Sequence, residues 1–187
     1  MEGFILKDNK KSIIIIAIIL AVAIIGAIGY YAYQQNRKYM IAAENNYNMS
    51  FFELVDYVQN VETYLAKALI STTPEHGAET LTNVWREAGI AQTYLSQLPI
   101  SSNELEKTSK FLNQVSDYSY ALSRKNIKGE NLTQEDFDNI KELHTYSVEL
   151  ENSLNQLSAD LNEGRIKWGE LTRKGNNVFA TQVTNIS

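Results

Sequence analysis

The sequence predicts an all-α protein, with one N-terminal transmembrane helix followed by an antiparallel up-and-down four-helix bundle. Three observations carry this. Residues 13–33 form an uninterrupted apolar run without a charge. Most of the chain behind it repeats apolar residues at alternating steps of three and four, the spacing of one helix face. Short polar breaks holding Pro or Gly divide that part into four stretches of similar length, which pack most simply as neighbours running in alternate directions. The alternating pattern of a strand is nearly missing.

The run at 13–33 has 21 residues, and as a helix it reaches roughly 32 Å, the thickness of a bilayer's hydrocarbon core. Its nine isoleucines and Leu20 together favour insertion by about 3 to 6 kcal/mol. An export signal has a shorter apolar region followed by a cleavage site of small residues. Here the small trio Ala21, Val22 and Ala23 lies inside the run, with ten more membrane-compatible residues behind it, so the segment reads as a retained anchor. Tyr30, Tyr31 and Tyr33 at its far end, followed by Arg37 and Lys38, resemble an interfacial aromatic belt. Lys7, Lys10 and Lys11 precede the span and only two basic residues closely follow it. That difference, though small, favours residues 1–12 as a short cytoplasmic tail and the bulk of the chain outside.

Residues 34–171 are expected to form the extracytoplasmic bundle. The first helix of the bundle carries Tyr47, Phe51, Leu54, Val58, Val61, Leu65 and Ala68 on one side. No Pro or Gly separates it from the span, so one helix is expected to run through both. The stretch around Pro74 and Gly77 ends it. A second seam follows at Leu81, Val84, Ala88, Ala91, Leu95 and Leu98, and Pro99 closes it. Ser101 with Glu104 reads as a capping box for a third helix, whose seam is Leu105, Thr108, Leu112, Val115, Ser119 and Leu122. After a turn at Gly129, Thr133 with Asp136 opens a fourth, with its seam at Ile140, Leu143, Ser147, Leu150, Leu154, Leu157 and Leu161. Beyond Gly164 the reading divides: the stretch through Trp168 either extends the fourth helix or loosens at Gly169 and Gly175. Residues 172–187 show no decisive period and read as a tail that begins a further C-terminal region.

Composition narrows the chemistry. The chain has no cysteine, which excludes disulfides and thiolate catalysis. The residues behind the tail carry 14 basic and 20 acidic side chains, so no basic surface for nucleic acid is expected. His76 lies in a Pro/Gly loop, and His144 sits beside a seam, where water or a neighbour satisfies it. Glu142 and His144 are two apart and point to different faces, unlike the ligands of a helical zinc site. Adjacent carboxylates such as Glu104 and Glu106, or Glu135 and Asp136, stand near helix starts, where they complement the macrodipole. No nucleophile elbow or phosphate loop is present. Glycosylation-type triplets at Asn48, Asn131 and Asn185 are what an Asn-, Ser- and Thr-rich chain produces by chance. No catalytic, metal or cofactor residue is therefore expected, and the reading is not an enzyme. The densest groups of large side chains surround Trp85 and Tyr120. The plain reading is that they fill a layer of the bundle; the functional one places Trp85 or Tyr120 outward on a partner-binding face.

A short basic tail and one span, followed in order by LTNVWREA, YLSQLPIS, FLNQVSDYSYALSR, LTQEDFDNIKELH and RIKWGEL, resemble the membrane-proximal half of the YpeB germination proteins of spore-forming bacteria. The resemblance implies a non-enzymatic protein of the spore's inner membrane, facing the cortex. Its implied partner is a SleB-type cortex-lytic enzyme, the two depending on one another to accumulate in the dormant spore. Proteins of that family continue into PepSY-like repeats, whereas this sequence stops at Ser187 and reads as a fragment or a shortened version, which puts in doubt any binding or inhibitory role belonging to those repeats. The alternative from another class is an extracytoplasmic helical sensor acting through a partner subunit. Sequence leaves open which bundle face meets a partner and whether the chain forms homo-oligomers.

Overall fold

A computed structural model describes residues 5–100 and 102–173. It is all-helical: α1 (Ile5–Leu69), α2 (Pro74–Leu95), α3 (Ser102–Ile127), α4 (Gln134–Asn162) and the short α5 (Trp168–Arg173), with no strand among the described residues. The described residues divide into two units between Asn45 and Asn46.

In the first unit the apolar residues of α1 face outward on every side. Ile13 is 64 % exposed, Ile19 62 % and Ile25 70 %. Among the described residues, α1 is the helix long and apolar enough to cross a membrane, and a helix apolar all round needs an apolar solvent.

The second unit supplies its own dry interior. Phe51, Leu54, Val58, Val61 and Leu65 of α1 are fully buried. They join Leu81, Val84, Ala88 and Ala91 of α2, Leu112 and Val115 of α3, and Ile140, Leu150 and Leu154 of α4 in one cluster. Side-chain contacts give the direction of successive helices. Ser50 and Asn60 of α1 bond Gln97, just past α2, and Glu87. Gln92 and Trp85 of α2 meet Ser109 and Ser116 of α3. Phe111 and Tyr118 of α3 meet Tyr146 and Asn139 of α4. In each pair one residue number rises as the other falls, so these neighbours are antiparallel.

Helix ends follow local chemistry. The Thr73 hydroxyl accepts from the His76 N–H at the start of α2, and Pro74 occupies the first turn, where its missing N–H costs nothing. At α4 the capping box is complete: Asp136 N–H donates to Thr133 Oγ1, and Thr133 N–H donates to an Asp136 carboxylate oxygen. The expected box at Ser101 and Glu104 lies outside the residues whose side chains are described.

Past α4, as far as Arg173, the chain neither extends the helix nor loosens; Gly175 and the expected tail from residue 174 on lie outside the described residues. Gly164 adopts a φ of 68°, a left-handed conformation that stops a helix, and Arg165 folds back to bond Asp160 at 2.6 Å. The chain then re-enters a helix at Trp168. Both Trp168 and Leu171 are buried, with the Trp168 ring 5.8 Å from Phe51 and 6.0 Å from Tyr47. Its indole N–H donates to Asn48 Oδ1. An amphipathic turn of helix, with Trp168 and Leu171 three apart, therefore closes one end of the core.

Candidate functional site

Trp85 on α2 and Tyr120 on α3 come together because these helices are antiparallel and in register, with Ser116 Oγ donating to the Trp85 carbonyl at 3.4 Å. The two rings lie 5.3 Å apart at 45°, and they are 43 % and 47 % exposed. They do not fill an interior layer; they form one outward aromatic pair, the amphipathic surface that interfaces favour.

Beside this pair, Arg86 reaches Glu87 at 2.9 Å, the guanidinium largely in water and the carboxylate buried. Asn60 Nδ2 donates to the same carboxylate at 3.0 Å, which ties α1 to α2 beneath the surface. Tyr57 and Tyr94 stack nearly parallel at 5.5 Å across those two helices. Burial, helped by the neighbouring Tyr94, pushes the Tyr57 phenol up.

On the other flank of α3 a polar network joins α4. Lys125 Nζ donates to Asp136 at 2.6 Å, Tyr118 donates to the other Asp136 oxygen at 3.3 Å, and Asn139 donates to the Tyr118 hydroxyl at 3.0 Å. Burial works to raise the Asp136 carboxyl, but the hydrogen bonds from Lys125 and Thr133 outweigh it and hold the group at about 2, below its ordinary 3.8. The Tyr118 phenol is pushed up, first by burial. Sequence reasoning gave Asp136 only its capping role. Its link to Lys125 depends on how α3 and α4 pair, which local spacing does not reveal.

His144 is satisfied by a neighbour, its Nε2 lying 2.7 Å from Glu62 Oε1 across α4 and α1. Glu151 lies close by, and its carboxyl is raised first by burial and then by the charge of Glu62. Among the described residues no three His, Cys, Asp or Glu side chains converge as metal ligands would. The features that stand out are therefore surfaces: the Trp85 and Tyr120 pair, and the seam between α3 and α4.

Comparison with known proteins places this chain. The family model described as YpeB N-terminal matches residues 35–170. The chain is 30 % identical over 159 residues to a sporulation protein YpeB of Halalkalibacterium halodurans, covering 83 % of this chain and 35 % of that one. It is 28 % identical over 152 residues to the protein of that name from Oceanobacillus iheyensis, covering 80 % and 34 %. The Bacillus subtilis protein of that name is 26 % identical over 157 residues, covering 82 % and 35 %. The chain thus spans about a third of the length of the curated relatives it matches. No solved structure matches it. With the family model covering most of its length, including all four long helices in whole or part, the chain belongs to the YpeB N-terminal family.

Proposed function

We propose that this chain is a non-enzymatic, single-pass spore germination protein that holds or protects a SleB-type cortex-lytic enzyme. Its N-terminus lies inside, and its helical unit lies outside the spore's inner membrane, facing the cortex. The observation that carries the reading is the family match over residues 35–170, together with relatives named as sporulation proteins. Family resemblance supplies the partner's identity. The excess of lysines ahead of the span supports the orientation. The antiparallel neighbours α1 to α2, α2 to α3 and α3 to α4 support an up-and-down four-helix bundle. Trp85 and Tyr120, paired and exposed, are the proposed contact with the partner.

The test is genetic and biochemical. Spores lacking this protein should hold less cortex-lytic enzyme at an unchanged transcript level, because an enzyme without its bound partner is more open to proteolysis. Exchanging residues 13–33 for an unrelated transmembrane helix should preserve the enzyme, while removing residues 46–173 but keeping the span should not. Normal amounts of correctly placed enzyme in the deletion strain would overturn the proposal and favour a sensor acting through a partner subunit.

A further inference from the structure

Between α3 and α4 lies a groove of about 590 Å³. Hydrogen bonds from Tyr118 to Asp136 and from Asn139 to Tyr118 cross the seam at one end, and the Phe111 and Tyr146 rings meet edge-on at 6.2 Å toward the other. The apolar lining is Phe111, Tyr118, Ala121, Leu143 and Tyr146, and Asp117 and Glu142 stand among them as carboxylates. Ala121 is exposed, so a small side chain leaves open what a large one would fill.

The charged side chains that line this groove, Asp117 and Glu142, are of one sign, and Lys125, the cation at its polar end, is already paired with Asp136. None of the described residues lining it is Lys or Arg. Glu135, Glu142 and Glu149 are seven apart on α4 and all exposed, which sets them in one stripe with a drift of about 20° per step. Glu142 lines the groove, and the charges of Glu135 and Glu149 reach the Tyr118 and Tyr146 phenols that also line it. Asp117 faces the stripe from α3. The whole stretch 46–173 holds eleven Lys and Arg against nineteen Asp and Glu.

We infer that the groove between α3 and α4 docks a basic segment of a partner protein. Aromatic or aliphatic side chains of that segment lie along the lining from Phe111 through Leu143 to Ala121, a length of roughly 15 Å, and flanking Lys or Arg side chains meet Asp117 and the glutamate stripe. The apolar lining supplies the affinity of a buried anchor, while the carboxylates select the charge of what flanks it. This surface differs from the aromatic pair: Tyr120 stands about 200° around the α3 axis from Tyr118. It does not depend on which protein the partner is.

The test uses the full chain in detergent micelles and fluorescein-labelled twelve-residue peptides, read by anisotropy. One peptide carries a central Trp flanked by lysines, a second replaces the lysines by glutamates, and a third replaces the Trp by Ala. The first should bind, more weakly as salt rises, and the other two should bind at least roughly tenfold more weakly. Ala121→Trp, at an exposed position, should abolish binding with the helical circular dichroism unchanged. If that variant loses helicity, the pair Asp117→Lys and Glu142→Lys decides instead, with a loss of roughly tenfold or more expected. Equal binding of the lysine and glutamate peptides, full binding by the variants, or no binding to any peptide would overturn the proposal. So would a particle mass that halves in Ala121→Trp, which would make the occupant a second copy of this chain.

Discussion

Residues 13–33 and residues 51–68 are both helical and both rich in aliphatic or aromatic side chains, yet they treat them in opposite ways. In the first stretch isoleucines stand outward on all sides; in the second Leu54 and Leu65 have no exposed surface at all. The difference lies in arrangement around the helix axis. An all-round apolar surface leaves no polar side to turn toward water, so it calls for an apolar solvent of the kind a membrane offers, whereas a one-sided stripe finds its apolar surroundings in other helices of the same chain. Composition already marks the first stretch, which holds no charge where the second holds Glu53, Asp56, Glu62 and Lys67; periodicity shows which side of the second is buried.

The strongest way to break this comparison is to truncate both kinds of aliphatic residue. Leu112→Ala and Leu150→Ala, each fully buried, should cost about 2 to 5 kcal/mol in urea denaturation of the full chain in micelles. Ile19→Ala should leave that transition within about 0.5 kcal/mol, since its side chain touches no core. A converse experiment charges the span: Ile19→Asp adds a penalty of about 2.5 to 3.5 kcal/mol, enough to cancel much of the insertion energy. The protein should then leave the membrane pellet under alkaline carbonate, while Trp85→Asp, already at a wet surface, should not release it.

A smaller effect separates polar from apolar support within the helical unit. Asp136→Asn removes the charge-assisted bond to Lys125 and should cost about 1.5 to 3 kcal/mol at neutral pH. Because the folded carboxyl is held at about 2 and its ordinary value is 3.8, the stabilisation is present above the ordinary value and is lost as pH falls toward 2. Denaturation midpoints of the native chain and the Asn variant should therefore converge in acid. An unchanged gap at low pH would mean that packing, not charge, sets the difference.

The finest probe is a single methyl group. A Cβ at Gly77 would run into Asn126 Nδ2, and Asn126 is buried, so its amide would have to leave its place and turn into the cavity that the two residues line together. Gly77→Ala should destabilise by about 1 to 3 kcal/mol. At Gly89, in the same helix, nothing lies within 4 Å, and alanine should stabilise by about 0.5 to 1 kcal/mol. Gly26 and Gly29 are equally open, and alanine there should leave the urea transition of the helical unit unmoved.

The four seams were legible because each depends only on spacing along one helix: every position chosen from Phe51 to Ala68 and from Leu81 to Leu98 is buried. The fourth is looser, with Leu143 and Leu161 only partly covered. What spacing could not give was anything set by register between helices. Trp85 and Tyr120 could be singled out as bulky, but their meeting follows from the offset of α2 against α3. The same holds for Lys125 with Asp136, and for His144 with Glu62. Trp168 and Leu171 were missed for another reason. Gly169 and Gly175 suggested a loosening chain, whereas Gly164, with its positive φ, ends one helix so that a shorter one, which includes Gly169, can turn back onto Phe51. The signal was present as two large apolar residues three apart, too few to establish a period.

That late element sets a schedule. Asn48 and Trp168 are 120 residues apart in sequence, and a ribosome adding about 5 to 20 residues per second needs roughly 6 to 24 s to pass from one to the other. For that interval the nascent chain presents Tyr47 and Phe51 without the indole that later covers them. A chaperone acting on newly made chains has its longest opportunity at this end of the core, and a stalled translation product ending before Trp168 would keep that aromatic surface open indefinitely.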